Sequence, residues 1–332
     1  MSSALTPQFL MDLETNMRII TTRDYDALLQ NLWWTKVARE HSIQTEKERI
    51  HWILETAQIH TTEDGNVDFE DLGVFSTEYT TDFAAAGLRL KRTKLEDLDA
   101  NGIDIAANWA SQIAKQAAYW PQTQVADFIK NNGLTYDGLS LFNAAHPVNV
   151  LRGASFGTFS NILGASAAVS GVTADVALTN FTNALATIAT IPNATGDQPR
   201  RLRVDAILHP PALRKALRQV TDSEYIAAAA ATGGGSQDVR GVLSDFNVEL
   251  IQAEELSAAF GGSDSIYYML TSEITADQLG AVLYLNREPF SVLYNGQMTD
   301  AELARTNELQ WLTRGRNSVQ GGHPYNIFRC GT

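Results

Sequence analysis

The stretch LEDLDANGIDIAANWASQIAKQAAYW, residues 95–120, has the apolar periodicity of one long amphipathic helix. At about 100° per residue, one side of this helix carries Ile105, Trp109, Ile113, Ala117 and Trp120. The stripe beside it is made of alanines: Ala106, Ala110, Ala114 and Ala118. Because alanine lets another backbone approach closely, we expect a second element to pack there. Pro121 either kinks the helix or begins a second one, and the pattern stops at Asn131, Asn132 and Gly133.

Upstream of this helix, residues 49–92 predict a long two-stranded hairpin. RIHWILETAQIHT is rich in β-branched and aromatic residues, and FSTEYTTDFAAAGLRLKR has the composition of a returning strand. Asp64 and Gly65 mark a turn between them, within the acidic run EDGNVDFEDLG. Because a two-stranded hairpin is marginally stable alone in water, we expect another surface to hold it.

The remaining chain predicts a mixture of helices and strands. Residues 1 to about 47 contain helical segments and the adjacent pair Trp33 and Trp34. Downstream we expect a loop over 151–172, a helix over 173–193, and a strand, Pro-Pro turn and short helix within 201–220. FNVELIQAEEL, SIYYMLTSE, AVLYLN and FSVLYN predict four further strands, and residues 307–330 predict a strand pair around a Gly-Gly turn.

The segment YDGLSLFNAAHP, residues 136–147, has the residue types of a catalytic set in Asp137, Ser140 and His146. A Ser-His-Asp site needs an oriented base and an oxyanion hole, however, and no GxSxG element is present. Asp137-Gly138 is an ordinary turn sequence, and His146-Pro147 is an ordinary end to a segment. We therefore interpret the segment as a turn, and keep an enzyme that uses Asp137 and His146 as the weakest alternative.

Composition excludes several functions. A formal net charge of −13, from 25 basic and 38 acidic residues, disfavours a protein that reads nucleic acid closely. The only cysteine, Cys330, cannot form an internal disulfide, and no segment approaches the roughly 18 apolar residues of a membrane span. The chain starts without signal-peptide features, and its six histidines stand in no metal-binding pattern. We expect a protein made in a cytoplasm, with no cofactor or metal.

Residues 89–149 resemble the major head subunit of Mu-like tailed phages. The most specific features are YDG, Leu141-Phe142 and HPVN, which follow the Trp-Pro helix. The resemblance extends upstream through REHSIQTEKERIHWILETAQIHTTEDG and weakly downstream through ILHPPALRKAL and the closing WLTRGR…NIFRC. It implies an α+β protein with the Hong Kong 97 capsid fold, a structural role and no enzymatic activity.

The family implies a division of the chain into five segments. They are an N-terminal arm (1–48), an extended hairpin called the E-loop (49–92), a peripheral domain with the spine helix (93–199), an axial domain (200–290), and C-terminal strands returning to the peripheral domain (291–332). The spine helix would span 98–130. In this interpretation Leu141 and Phe142 enter the core, and His146 is a structural hydrogen-bonding residue.

By this resemblance the protein is the major capsid protein of a tailed phage. It would assemble with itself, as hexamers and pentamers, into an icosahedral head around double-stranded DNA held by weak non-specific contacts. Other expected partners are a scaffold or maturation protease, a portal and decoration proteins. The expected location is the virion, assembled in the host cytoplasm. A non-viral, encapsulin-like compartment shell of the same fold is the alternative.

Two groups of side chains are expected at subunit interfaces. Trp33, Trp34, Trp52 and Phe69 lie on segments expected to have little chain of their own to cover them, which predicts burial by neighbouring subunits. The hairpin tip carries like charges that require basic residues opposite them on the next subunit: Asp64, Asp68, Glu70 and Asp71.

Overall fold

The structure is a computed structural model that describes residues 7–29, 32–53, 74–91, 93–94, 105–221, 226–227, 238–239, 248–273, 280–294 and 308–332. The helices of these residues are α1 (Pro7–Leu29), α2 (Trp34–Val37), α3 (Ile105–Lys130), α4 (Ala174–Ala189) and α5 (Arg214–Thr221). The first strands are β1 (Ala38–Ser42), β2 (Lys47–Ile53), β3 (Val74–Thr80), β4 (Asp82–Lys91), β5 (His146–Pro147), β6 (Thr158–Phe159) and β7 (Ile162–Gly164). The later strands are β8 (Leu202–His209), β9 (Ile226–Ala227), β10 (Asp238–Val239), β11 (Glu249–Gln252), β12 (Tyr267–Glu273), β13 (Val282–Tyr294), β14 (Glu308–Gly321) and β15 (Ile327–Cys330).

Two larger sheets organise the described strands. The first has the order β1-β13-β14-β4, with β1 parallel to β13 and the other neighbours antiparallel. The second has the order β11-β8-β12-β15-β7, with parallel pairs at both edges. Strands of the segment 200–290 are thus divided between the sheets, because β13 lies in the first sheet and β8, β11 and β12 lie in the second.

From Ile105 onward, helix α3 confirms the amphipathic pattern that the sequence predicts, whereas residues 95–104 of the predicted stretch lie outside the described residues. It continues through Pro121, and its alanine stripe is the buried face, with Ala110, Ala114 and Ala118 fully buried. Helix α1 packs along this stripe and places the fully buried Met17 in one cluster with Ala110. The small alanine side chains permit the close approach of the two helices.

The C-terminus of α3 follows from its polar and glycine residues. Asn132 adopts a left-handed conformation with φ 52°, which asparagine tolerates better than most residues. The Gly133 amide then donates to the carbonyl of Phe128 at 3.1 Å, and the Asn132 amide donates to that of Ile129 at 3.3 Å. These two hydrogen bonds form a Schellman motif, which ends the helix and turns the chain into the segment that follows.

Two expectations about strand pairing are wrong. The returning strand of the hairpin is two strands: β3 pairs with β2, whereas β4 pairs with β14, so the expected hairpin range of 49–92 includes a strand that pairs elsewhere. The closing segment is not a strand pair, since β14 and β15 lie in different sheets. Sequence periodicity identifies strands but carries no information about distant partners.

The sequence predicts two separate strands, AVLYLN and FSVLYN, on either side of Pro289. The structure joins them in the single strand β13. Proline cannot donate a hydrogen bond to a neighbouring strand, so its presence argues against a central strand. Pairing of β13 with β1 ends at Asn286, and the register with β14 is irregular between Asn286 and Ser291. Pro289 is therefore accommodated where the strand has lost one neighbour.

Candidate assembly surface

The turn after α3 contains a buried pair between Asp137 and His146. The Nδ1 atom of His146 lies 2.7 Å from Oδ2 of Asp137, and both side chains are almost completely buried. Asp137 also accepts hydrogen bonds from the Thr135 hydroxyl and the Leu139 amide. Burial acts to raise the pKa of Asp137, but the hydrogen bonds from His146, Thr135 and Leu139 outweigh it and lower that pKa below its ordinary value.

The same turn is fixed to the second sheet by polar side chains. The Nε2 atom of His146 faces the carbonyl of Leu141 at 3.2 Å, and the side-chain amide of Asn161 donates to this carbonyl at 2.6 Å. Asn161 also donates to the carbonyls of Pro324 and Ile327. Because both ring nitrogens of His146 are engaged, neither is available as a base toward Ser140. Leu141 and Phe142 lie in the core, as the sequence predicts.

The three tryptophans expected at interfaces are already buried by their own chain. Trp33 is 7% exposed and donates its indole N–H to Glu255, Trp34 is 4% exposed and packs on Tyr284, and Trp52 is fully buried. The expectation that their segments lack covering residues is therefore wrong. It failed because α3 and both sheets supply cover from distant parts of the sequence.

Trp52 belongs to an aromatic cluster at the base of the β2–β3 hairpin. Its ring stacks on Tyr136 at 4.8 Å and meets the edge of His323 at 4.7 Å. Phe75 of β3 packs on the other side of Tyr136, and the Tyr79 hydroxyl donates to the carbonyl of Gly321. The hairpin base is thus held by the turn after α3 and by the crossing between the two sheets.

The acidic tip lies outside the described residues. The five expected residues fall between Ile53 and Val74, the last described residue pair of the hairpin: Asp64, Asp68, Phe69, Glu70 and Asp71. The described part of the hairpin carries mixed charges, because Lys47 and Arg49 of β2 flank Glu78 of β3.

An apolar groove lies between α3 and the first sheet, and sequence reasoning missed it. This alanine groove has a volume of about 340 Å³ and is lined by Phe83, Ala84, Ala86, Ala117, Trp120, Phe290 and Thr313, among others. It exists because the facing alanines are too small to fill the space between helix and strand. Two aromatic residues at the groove reach solvent, since Phe83 is 59% and Trp120 is 37% exposed.

The described ranges contain neither a cluster of metal-binding side chains nor a membrane-spanning helix. Among these residues, no three His, Cys, Asp or Glu side chains are grouped so as to hold a metal ion. The described helices include none that is both long and apolar enough to cross a membrane.

One known protein family matches part of the chain. Residues 22–174, which are 153 of its 332 residues, match the family model of the Mu-like prophage major head subunit gpT. This match, together with the capsid fold described next, supports a major capsid protein of a tailed phage, and the chain is called the head subunit below. The match covers α3, the turn at Asp137 and His146, and both strands of the hairpin base. No curated protein sequence matches the head subunit.

Solved structures give the fold of the head subunit. The mature capsid of bacteriophage PhiM1 is 12% identical, with 91% of this chain aligned to 87% of that chain and a TM-score of 0.56. The capsid of cyanophage P-SCSP1u is 12% identical over 89% of this chain and 86% of that chain, with a TM-score of 0.55. Microbacterium phage Oxtober96 is 12% identical over 90% of each chain, with a TM-score of 0.51. The head subunit has the Hong Kong 97 capsid fold.

The Asp137–His146 pair is therefore a structural element of the head subunit. It lies within the residues that the head-subunit model matches, and its hydrogen bonds join residues of the turn itself, between Thr135 and His146. The family match also favours a phage head over a cargo-enclosing compartment shell. The sequence signal that pointed to this turn was the Asp-Gly dipeptide followed by His-Pro.

Proposed function

We propose that the head subunit assembles, as hexamers and pentamers, into an icosahedral shell that encloses double-stranded DNA. Its role is structural and involves no catalysis, and it reaches the virion after assembly in the host cytoplasm. The matching family of major head subunits and the capsids that share its fold support this proposal.

The anchored hairpin is the observation that carries the proposal. Strands β2 and β3 pair without a register break from Lys47 and Thr80 to Ile53 and Val74. The buried Trp52 fixes one strand against Tyr136 and His323, which belong to the body of the subunit. A fixed base orients Ile53 and Val74, the two described residues that the segment 54–73 connects. A hairpin whose base is fixed in this way suits contact with a neighbouring subunit.

We propose that the chain is divided into the five expected segments. We assign residues 1–48 to an arm, 49–80 to the hairpin region, 93–199 to a peripheral domain, 200–290 to an axial domain and 291–332 to the returning strands; β4 is left out of the hairpin because it pairs with β14. Portal, scaffold or maturation protease and decoration proteins are further proposed partners. Acidic residues 64, 68, 70 and 71 are proposed to meet basic residues of the next subunit.

Assembly of the purified chain tests the proposal. We expect the full-length protein to sediment as large particles that show closed shells in electron micrographs. Replacement of Asp68, Glu70 and Asp71 together with Ala should change the extent of assembly and weaken its salt response, because exposed ion pairs are screened by salt. The matched control replaces three exposed acids elsewhere, Asp26, Glu46 and Asp175, with Ala.

The outcomes separate two failures. A wild-type chain that stays monomeric at all accessible concentrations would contradict the shell function. Particles that form identically in the tip variant, the control and the wild type across the salt series would leave the shell function standing. The same result would contradict the proposed electrostatic role of the acidic tip.

A further inference from the structure

The alanine groove contains an unpartnered buried hydroxyl. Thr313 of β14 is 2% exposed and lines the groove, and its Oγ1 atom has no hydrogen-bond partner among the described residues. A buried polar group that stays unpaired destabilises a fold, so such groups normally have a partner. The hydroxyl therefore indicates that the groove receives a group with which it can form a hydrogen bond.

A second buried polar group lies on the same face of β14. Asn317 is 4% exposed; its Oδ1 atom accepts from the indole N–H of Trp120 at 2.9 Å, whereas its Nδ2 atom is unpartnered within the described chain. Trp120 itself lines the groove. The groove thus combines apolar walls with an unpaired hydroxyl and a nearby unpaired N–H donor. This combination suits a peptide segment, which supplies apolar side chains together with carbonyl or carboxylate oxygens.

The groove lies beside β4, the outermost described strand of the first sheet. Strand β4 is the last strand in the order β1-β13-β14-β4, so its outer edge has no neighbour among the described strands. Such an edge presents backbone N–H and C=O groups to which another chain can add. The exposed Phe83 lies on β4, so a segment added along this edge would cover its ring.

Charge indicates which chain occupies the groove. The exposed residues Arg89 and Lys91 lie toward one end of β4, and Lys94 follows shortly after it. Glu308 pairs with Arg89 at 3.4 Å on the neighbouring strand. The C-terminal end of β4 is therefore locally basic, whereas its other end carries the exposed Asp82 and the whole chain carries a net charge of −13. A second copy of the chain is an acidic partner, and in an assembly of identical subunits there is one such copy for each groove.

We propose that the alanine groove and the outer edge of β4, which has no neighbour among the described strands, are an assembly interface that is occupied by a segment from a second copy of this chain. The inference rests on the proposed shell function and specifies which surface of the subunit performs it. The occupant inserts apolar side chains between Trp120 and Phe83 and provides an oxygen atom to the Thr313 hydroxyl.

Two phenylalanines provide a matched comparison. Phe83 at the groove is 59% exposed, and Phe260, in a short helix near the second sheet, is 64% exposed. Phe83→Ser and Phe260→Ser remove similar apolar area from the surface of the free subunit. We expect Phe83→Ser to raise the protein concentration needed for half-assembly about tenfold or more. We expect Phe260→Ser to leave that concentration unchanged, as measured by sedimentation velocity on the full-length protein.

Thr313→Val tests the hydroxyl separately from folding. Because this hydroxyl is unpaired in the described subunit, its replacement by a methyl group should leave the melting temperature of the free subunit unchanged or raise it. Assembly should nevertheless weaken, since the occupant loses its hydrogen-bond partner. An unchanged assembly curve for both Thr313→Val and Phe83→Ser, with a wild type that forms shells, would overturn the inference and leave the shell function intact.

Cysteine labelling identifies the occupant. The native Cys330 is fully buried, so a cysteine introduced by Ala84→Cys is the accessible thiol in the described part of the folded subunit. In shells formed from this chain alone, we expect a maleimide to react with it at least about tenfold more slowly than in the free subunit, because access controls thiol reaction. Equal rates would show that no second copy covers the groove, and would overturn the inference. A wild type that never associates would overturn the inference and the shell function together.

Discussion

At the scale of single residues, the head subunit uses buried polar groups to hold a turn in place. Asp137 bends the chain with Gly138, which has a φ of 79°, and accepts hydrogen bonds from three neighbours. His146 links this carboxylate to the carbonyl of Leu141. The residue types of a catalytic set therefore occur here because a sharp, buried turn needs acceptors and donors of its own.

Asp137→Asn should destabilise the unassembled subunit by about 3 kcal/mol at pH 7, since it removes the charge from a buried hydrogen-bonded pair. The pKa of Asp137 lies below its ordinary 3.8. Its contribution to stability is therefore fully present above pH 3.8 and is lost as pH falls through the folded-state pKa. The difference between wild type and variant in urea unfolding should be largest at neutral pH and shrink below about pH 4.

Asp127→Asn is the control for this measurement. Asp127 pairs with Lys130 at 2.9 Å on the surface of α3, with its side chain 45% exposed. Its loss should cost less than about 1 kcal/mol, as exposed ion pairs contribute little. If both variants lose the same small amount of stability, the Asp137–His146 pair does not hold the turn.

At the scale of elements, the passage from β14 to β15 connects the two sheets. The Gly322 amide donates to the carbonyl of Ala281 at 2.9 Å, and the His323 amide donates to that of Gly280 at 3.3 Å. A Cβ atom on Gly322 would lie 2.0 Å from the carbonyl oxygen of Gly280. The two glycines in the sequence therefore mark a close backbone contact between strands, and not a hairpin turn.

Gly322→Ala should lower the free energy of unfolding by about 3 kcal/mol, because the added methyl group meets backbone that can move only with its sheet. Gly87→Ala on β4 is the matched control. Its nearest neighbour would be the carbonyl oxygen of Trp311 at 3.6 Å, an ordinary contact, and its effect should stay within about 1 kcal/mol. Equal unfolding midpoints for the two variants in urea would contradict the close contact.

Elements of this fold could be predicted from sequence where local patterns decide them. The apolar spacing of α3, its stop at Asn132 and Gly133, and the strand at Tyr267–Glu273 all depend on near neighbours. The partners of β4 and β15 could not be predicted, because strand pairing depends on contacts far apart in sequence. The alanine groove was missed for the same reason, since its walls come from α3, β4, β13 and β14.

At the scale of the whole molecule, net charge bears on the proposed contact between the shell and double-stranded DNA. The net charge of −13 gives no general attraction for phosphate. The most basic short run near the second sheet is Arg200, Arg201 and Arg203. Arg200 lies over the ring of Tyr325 at 3.9 Å, and Arg203 pairs with Asp205 at 2.7 Å. Two of the three cations are thus engaged within the subunit.

We therefore predict that purified subunits bind short duplex DNA weakly and without sequence preference. The dissociation constant at about 0.15 M salt should be no tighter than the usual non-specific range of about 10⁻⁴–10⁻⁶ M. Arg201→Ala should change it little, since one phosphate contact contributes a salt slope of only about 0.9. Fluorescence anisotropy of a labelled duplex across a salt series measures both quantities. A sub-micromolar dissociation constant, or a salt slope that corresponds to many phosphate contacts, would contradict this prediction. Either result would mean that basic side chains converge on one surface of the subunit and bind DNA there.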